Sequence, residues 1–254
     1  MARSLSSLKK RMATITTTQK ITNTMKLVSM SKLQRYANLR DQFKDYYNAL
    51  MDQPLEAIQS DKEKLAICIV PDLGLVSTFT KGILNYCLNH EIKHVLWIGH
   101  QNYETIERHP SLFVHNDKIS SEKVTKAQLQ EMIDELKDSY NLVALEVGLI
   151  QRSTMKIEEI PVFYSLKFSD TTLYEPNFEE VSTKTCQVVA LAILEHIRLL
   201  NKASEHMLRQ IAMDKASESA EDMLDSLKQD YNKLRQERIT QEISEIVSGK
   251  EVSE

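Results

Sequence analysis

The chain has 254 residues, of which 42% are hydrophobic and 27% charged, and its formal net charge is −4, a composition that is ordinary for a soluble protein. Only five residues are glycine, and neither G-x-x-x-x-G-K-[ST] nor G-x-G-x-x-G occurs, so the sequence contains no glycine-rich loop for binding phosphate. No run of 18 uncharged apolar residues is present and no signal-peptide core follows the basic N-terminus, so we expect a cytosolic chain without a membrane span of its own.

Both ends of the chain lack helix breakers. Residues 1–53 and 177–248 contain neither glycine nor proline, and at about 1.5 Å per residue they could form helices roughly 80 and 105 Å long. A compact domain of this length has a radius of gyration of only about 18 Å, so two such helices do not fit inside one globule. The pattern therefore favours a shaft or a tether.

The N-terminal helix is predicted to bury a face that rotates part way along. Its first apolar residues keep the alternating three- and four-residue spacing of a coiled-coil seam: Leu5, Leu8, Met12 and Ile15. The seam turns polar at Gln19 and Thr22, and apolar spacing resumes on another register with Ile21, Met25 and Val28. Such a shift predicts that the buried face moves around the helix.

Residues 62–176 carry alternating strand and helix patterns. The predicted strands are Leu65–Val70, His94–Ile98, Leu112–His115 and Leu142–Ile150, with Met155–Tyr164 as an antiparallel return. The predicted helices are Thr80–Asn89 and a longer one that is capped by Ser120 or Ser121 and ends at about Asp138. This alternation predicts a mostly parallel sheet covered by helices, with the last strand at an edge.

The C-terminal helix has a more regular seam. Its first part comprises Cys186, Ala190, Ile193, Ile197, Leu200, Ser204, Met207 and Ile211. On an adjusted register it continues through Ala216, Ala220, Met223, Leu227, Tyr231 and Leu234, and then Ile239, Ile243 and Ile246. Residues 1–40 contain nine Lys and Arg and no acid, whereas residues 177–254 have a net charge of −5. We therefore expect the basic helix to lie against the acidic one.

These patterns predict an α/β fold: a long antiparallel coiled coil of the N- and C-terminal helices plus a small central domain with a mostly parallel sheet covered by helices. The expected boundaries are 1–58 for the N-terminal helix, 62–176 for the central domain, 177–249 for the C-terminal helix and 250–254 for a tail. The three cysteines, Cys68, Cys87 and Cys186, form no C-x-x-C pair and sit in apolar patterns, so we expect buried thiols.

The residues at both ends resemble a known family. The run R-M-A-T-I-T-T-T-Q-K-I-T-N-T-M-K-L-V-S-M-S-K-L at 11–33 resembles the N-terminal helix signature of the F-type ATP synthase gamma subunit. S-E-H-M-L-R-Q-I-A-M-D-K-A at 204–216 and Y-N-K-L-R-Q-E-R-I-T-Q-E-I-S-E-I-V-S-G at 231–249 resemble its C-terminal helix signature.

The resemblance implies a non-catalytic central rotor that turns inside a hexamer of alternating alpha and beta subunits and couples ATP synthesis or hydrolysis to rotation and proton transport. It implies that the partner subunits bind ATP, ADP and magnesium, and that this chain holds no cofactor or metal. An epsilon-like subunit and a membrane rotor ring, or a replacement for it, are further implied partners. Nucleic acid is not expected as a partner, because the aromatic residues of the basic N-terminal helix begin only at Tyr36 and offer its first eight basic residues no stacking surface. The complex would lie on the cytoplasmic, inner face of the cell membrane.

The resemblance also implies the contact residues by position. Those facing the ring are Lys20, Met25, Lys26, Lys32, Arg209, Arg235, Gln236, Thr240 and Glu242. The foot region includes Asp72, Gly74 and Leu75, but Leu73 stands where the family usually has a basic residue. This departure leaves open a gamma-like rotor of a specialised F-type ATPase that drives a process other than proton pumping.

Two other classes of protein remain open. The run H-E-I-K-H at 90–94 matches the H-E-x-x-H pattern of zinc peptidases, in which two histidines on one helical face bind zinc and the glutamate is the general base. Here the predicted helix ends at about Asn89 and His94 begins a strand, so His90, Glu91 and His94 would not share a face. Long helices alone also fit a coiled-coil scaffold, although the terminal motifs argue against it.

Overall fold

The structure is a computed structural model that describes residues 4–58, 60–150, 154–170 and 172–251, with side chains as far as residue 248. In chain order, its elements are α1 (Leu5–Met51), β1 (Leu55–Ala57), β2 (Lys64–Ile69), α2 (Ser77–Asn89), β3 (His94–Ile98), α3 (Tyr103–Glu107), β4 (Phe113–Val114), α4 (Lys126–Leu136), β5 (Asn141–Ile150), β6 (Thr154–Pro161), β7 (Tyr164–Leu166) and α5 (Phe178–Glu251).

The chain divides into two compact units. The first consists of residues 1–28 and 210–254, and the second of residues 29–209. α1 and α5 each contribute to both units. Each is one continuous helix, which confirms the two terminal helices predicted from the absence of breakers. No helix in the described ranges is long and apolar enough to cross a lipid bilayer.

The first unit is an antiparallel pair of helices. Thr22 Oγ1 and Ser217 Oγ are 2.7 Å apart, and the ammonium of Lys26 lies 2.5 Å from a carboxylate oxygen of Asp214. Further along, the ammonium of Lys9 lies 5.7 Å from the ring centroid of Tyr231. The two residue numbers in each pair add to 239 or 240, so the register is constant. The predicted packing of a basic helix against an acidic one is confirmed.

The predicted rotation of the N-terminal seam is wrong. Thr22 is buried, whereas Ile21 and Val28 are 54% and 52% exposed. The seam therefore keeps the register of Leu8 through polar residues, leaves Ile21 and Val28 exposed and partly buries Met25. A small hydroxyl fits there because Thr22 donates to the carbonyl of Gln19 within its own helix and also bonds Ser217.

The C-terminal seam differs from the prediction at two positions in this unit, each by one residue. Its buried members are Met213, Ser217, Ala220, Leu224 and Leu227. Of the predicted members, Ala220 and Leu227 are correct, but Met223 is 58% exposed and Ser217 replaces Ala216. Ile239, Ile243 and Ile246, predicted to continue the seam, are exposed.

The second unit contains a five-stranded sheet of order β4-β3-β2-β5-β6. Its first four strands are parallel, and β6 returns antiparallel at the edge, as predicted. A separate two-stranded antiparallel sheet of β1 and β7 was not predicted, since strands of three residues are too short to show alternation.

Helices cover both faces of the five-stranded sheet. Alternate residues of β2 point to opposite sides: Cys68 packs with Phe79 and Ile83 of α2, whereas Ile67 packs with Ile193 of α5 and with α4. The buried residues of α5 at this face include Val189, Ala190, Ile193, Leu194 and Ile197.

Some predicted boundaries need correction. α4 begins at Lys126, later than expected, because Thr125 rather than Ser120 or Ser121 is its cap: Thr125 accepts from the backbone N–H of Gln128, and the Gln128 side chain accepts from the N–H of Thr125. Cys68 and Cys87 are buried as predicted, whereas Cys186 is only half-buried.

Candidate functional site

The residues predicted to contact a surrounding ring fall into three groups. Lys20 of α1 and Arg235, Gln236, Thr240 and Glu242 of α5 are exposed. Met25, Lys26 and Lys32 are half-buried, and Arg209 is buried. The structure therefore leaves the first group accessible and gives the charged members of the others partners within the chain.

Within the described part of the chain, the exposed C-terminal group makes only local bonds. Thr240 donates its hydroxyl hydrogen to the carbonyl of Gln236, and Arg238 pairs with Glu242 one turn away at 3.0 Å. An exposed i,i+4 pair of this kind contributes at most about 0.5 kcal/mol to the helix, so these side chains can exchange partners at little cost.

Arg209 is the centre of a buried ionic network in the second unit. Its guanidinium lies 2.8 Å from Glu205, whose other carboxylate oxygen lies 2.9 Å from the ammonium of Lys202. All three side chains are nearly inaccessible, and Arg209 also contacts Nδ1 of His206 at 3.0 Å. One carboxylate between two cations makes a directional, water-excluded anchor.

The same arginine holds the loop between β2 and α2. It donates to the carbonyl of Leu73 at 3.1 Å and to that of Gly74 at 3.4 Å. Leu75, the next residue, has a left-handed backbone with φ of 72° and is exposed, as is Leu73. The loop thus presents two leucines on a backbone that α5 fixes in place.

Asp72 fastens the other end of this loop. Its carboxylate accepts hydrogen bonds from the hydroxyl of Ser120 and from the backbone N–H groups of His100, Ser121 and Glu122. Burial alone would raise the pKa of Asp72, but these hydrogen bonds and the charge of Lys202 lower it below its ordinary value. Ser120 and Ser121 were expected to cap a helix, but they donate hydrogen bonds to Asp72 in this loop instead.

A further ion pair connects α1 to the same region. The ammonium of Lys32 lies 2.8 Å from Glu122, and this hydrogen bond lowers the pKa of the Glu122 carboxyl. Because the backbone N–H of Glu122 also donates to Asp72, the predicted foot residues and Lys32 belong to one connected cluster of the second unit.

The zinc-peptidase arrangement is absent. α2 ends at Asn89, Glu91 has a left-handed backbone, and His94 begins β3, as the sequence predicted. His90 stacks on Tyr86, while His94 bonds Glu63 and His115. Among the described residues, no group of three or more His, Cys, Asp or Glu side chains has the geometry to hold a metal ion.

Buried polar residues of α5 between 201 and 209 were largely missed by sequence reasoning. Of these residues, only Ser204 belongs to the predicted seam, yet Asn201, Lys202, Glu205 and His206 are also buried. Apolar periodicity cannot detect polar side chains that are buried because they bond one another, as Lys202 and Glu205 do, or another element, as Asn201 does. The available signal was the uninterrupted helix pattern through a polar stretch.

Comparisons with known proteins agree with the resemblance seen in the terminal motifs. A family model described as ATP synthase matches residues 4–252. The ATP synthase gamma chain of Clostridium beijerinckii is 26% identical and the alignment covers 98% of both chains, and that of Mycoplasmopsis pulmonis is 28% identical over 97% of this chain and 98% of the relative.

Among solved structures, a chain of the Euglena gracilis mitochondrial ATP synthase, in the OSCP/F1/c-ring assembly, superposes with a TM-score of 0.73 at 14% identity. The alignment covers 98% of this chain and 94% of that one. At this identity the superposition shows a shared fold.

Proposed function

Because this chain belongs to the ATP synthase gamma chain family and is a central-stalk rotor subunit of an F-type ATP synthase, we propose that it turns inside a hexamer of alpha and beta subunits and performs no catalysis itself. The partner subunits bind ATP, ADP and magnesium, and rotation of this chain couples their nucleotide affinities to its angle.

The observation that carries this proposal is the uncovered end of α5. Paired residues of α1 and α5 have numbers that add to about 240, so Leu5 of α1 lies opposite residue ~235 of α5. Beyond that point, α5 has no described residue of α1 beside it. There Ile239, Ile243 and Ile246, spaced i, i+4 and i+7, are 43%, 56% and 67% exposed. An apolar stripe of this kind on a soluble helix indicates a surface that another chain covers.

Exposed polar residues of the first unit suit a contact that forms and breaks. Lys20, Arg235 and Gln236 are exposed, and the described residues form no rigid partner network around them of the kind that surrounds Arg209. We propose that they bond loops of the beta subunits in some rotary states and release them in others. Thr240 and Glu242 lie one turn further along the same exposed helix and would contribute in the same way.

Burial changes the role proposed for Arg209. Its guanidinium contacts Glu205 and the loop carbonyls of Leu73 and Gly74 within the chain. We propose that Arg209 holds the foot loop for its partners rather than bonding the ring directly. Lys26 and Lys32, which pair with Asp214 and Glu122, would exchange those partners for acidic groups of the ring.

The loop between β2 and α2, which contains the predicted foot residues and is called the foot loop here, favours a second candidate function. Leu73 and Leu75 are exposed, with Leu73 at the position where the family usually has a basic residue. An epsilon-like subunit and a membrane rotor ring are the expected partners, which would hold the complex at the membrane. An apolar foot also suits a specialised rotary ATPase that drives a process other than proton pumping.

Purification of the native complex through a tag on this chain tests the proposal. We expect alpha and beta subunits in stable association, identified by mass spectrometry, and ATP hydrolysis that is lost when this chain is omitted from reconstitution. Recovery of an isolated monomer or homodimer would refute it. The presence or absence of a proton-ring subunit separates the two candidates.

A further inference from the structure

The two central strands of the five-stranded sheet separate before they end. The parallel ladder between β2 and β5 runs from Lys64 opposite Asn141 to Ile67 opposite Ala144. Beyond it, β2 turns into the loop at Pro71, whereas β5 continues to Ile150. This gap is the switch point of the sheet, because β3 and β4 lie on one side of β2 and β5 on the other. In open α/β sheets such a crevice is the usual site for a ligand.

Asn201 of α5 fills the gap with hydrogen bonds. Its side-chain oxygen accepts from the backbone N–H of Val147 at 2.8 Å, and its side-chain nitrogen donates to the carbonyl of Leu145 at 3.0 Å. The same nitrogen donates to the carbonyl of Ile69 at 3.3 Å. The orientation of the amide is fixed, since backbone N–H groups only donate and carbonyls only accept.

The carboxamide thus takes the place of a peptide unit in the ladder. In a parallel pair, the carbonyl of one residue and the N–H two residues later bind the same partner. Leu145 and Val147 offer that pair of groups, and Asn201 binds both while also contacting β2. One side chain of α5 therefore joins the two strands where their own hydrogen bonds stop.

At this point α5 passes the carboxyl end of β2, from one face of the sheet to the other. Ile193 and Ile197 pack on one face, and Leu208 belongs to the cluster on the other face, with Cys68 and Trp97. Between them, Ser204 donates its hydroxyl hydrogen to the carbonyl of Val147 at 2.7 Å. Asn201 and Ser204 are both buried, so water does not compete for these bonds.

We propose that the hydrogen bonds of Asn201, together with that of Ser204, transmit torque between α5 and the five-stranded sheet that carries the foot loop. We call these two residues the joint. The inference rests on the proposed rotor function and adds to it the residue at which the helix is locked. Apolar packing is non-directional and resists sliding or rotation of a helix weakly, whereas hydrogen bonds to fixed backbone groups resist both.

The joint is tested in the assembled complex by measuring the torsional stiffness between the five-stranded sheet and the ring of alpha and beta subunits. A bead is attached to the foot through the substitution Asp138→Cys at an exposed turn, with the alpha and beta subunits immobilised. Angular fluctuations are recorded while hydrolysis is stalled. Asn201→Leu removes the amide at similar volume, and Asn201→Asp places a carboxylate against two carbonyls. Gln187→Leu, which removes an exposed amide from the same helix, is the matched control.

We expect a wider angular distribution for both Asn201 variants and an unchanged one for Gln187→Leu. Hydrogen exchange of the Val147 amide should accelerate only in the Asn201 variants. If these variants do not assemble, Ser204→Ala, which removes one bond, should give a smaller widening. Stiffness equal to wild type in every assembled variant would overturn the joint. Wild-type complexes that hydrolyse ATP without turning the bead would instead refute the rotor function itself.

Discussion

In residues 1–28 and 210–254, α1 and α5 meet through small side chains such as Thr22, Ser217 and Ala220, whereas in residues 29–209 α5 is held by buried charges and an amide. The first unit has a shallow seam with many exposed charges around it. In the second unit, Asn201 makes directional hydrogen bonds where β2 and β5 separate. The same helix thus makes few directional bonds in the unit that is proposed to turn inside other chains, and several in the unit that contains the sheet.

The largest expected effect is loss of the carboxylate in the buried network. Glu205→Ala leaves the cations of Lys202 and Arg209 buried without their anion, which should cost about 3–5 kcal/mol of unfolding free energy. Glu242→Ala is the matched control, because its pair with Arg238 has the same spacing but is exposed, and should cost under about 1 kcal/mol. Denaturant unfolding of the purified chain measures both, and equal losses would abolish the distinction between the units.

Acid should weaken the second unit next. Burial lowers the pKa of His206 from its ordinary 6.5 to about 4, with Arg209 adding to the shift and Glu205 opposing it. The unfolded chain therefore binds more protons between these values, so stability that is present above about pH 6.5 is lost progressively as the pH falls towards about 4.

His206→Phe tests this dependence. The phenyl ring can keep the stack on Tyr36, whose ring centroid lies 5.5 Å from that of His206, but it cannot be protonated. We expect a flatter dependence of the unfolding free energy on pH over that window. A slope as steep as that of the wild type would mean that other groups are responsible.

A smaller effect is expected at the polar pair of the first unit. Ser217→Ala removes the partner of Thr22 at 2.7 Å and should cost about 0.5–1.5 kcal/mol. The double variant Thr22→Val with Ser217→Ala replaces both hydroxyls by apolar groups and should be nearly neutral. Thermal unfolding compares the double variant with Ser217→Ala and Thr22→Val alone, and a double variant that loses as much stability as the two single variants together would contradict a coupled pair.

The smallest effect on the free chain is expected at the uncovered stripe. Changing Ile239, Ile243 and Ile246 to Ser should alter its stability by less than about 0.5 kcal/mol per site, since no described residue covers them. Assembly with the ring should nevertheless weaken, as measured by co-purification. Leu227→Ser is the control, because burial of that side chain predicts a clear loss of stability in the free chain.

The regular elements were predictable because local signals specify them. The absence of glycine and proline indicated α1 and α5, and apolar runs bounded by turns indicated β2, β3 and β5. The seam of α1 was predicted incorrectly because periodicity follows apolar side chains, whereas Thr22 is buried by a partner 195 positions away.

The joint was beyond prediction for the same reason. Asn201 is an ordinary polar residue in a helix pattern, and its burial depends on strands β2 and β5 separating beside it. Arg209 was chosen through family resemblance, and its bonds to Glu205 and to the loop at Leu73 appear only when the fold brings them together.

Direct observation of rotation tests the central claim. A bead is attached to this chain in an immobilised complex with its alpha and beta subunits, and ATP is supplied. The rotor account predicts sustained turning in one direction that stops when ATP is removed. ATP hydrolysis by a complex that retains this chain, with a bead that shows only Brownian motion, would contradict it.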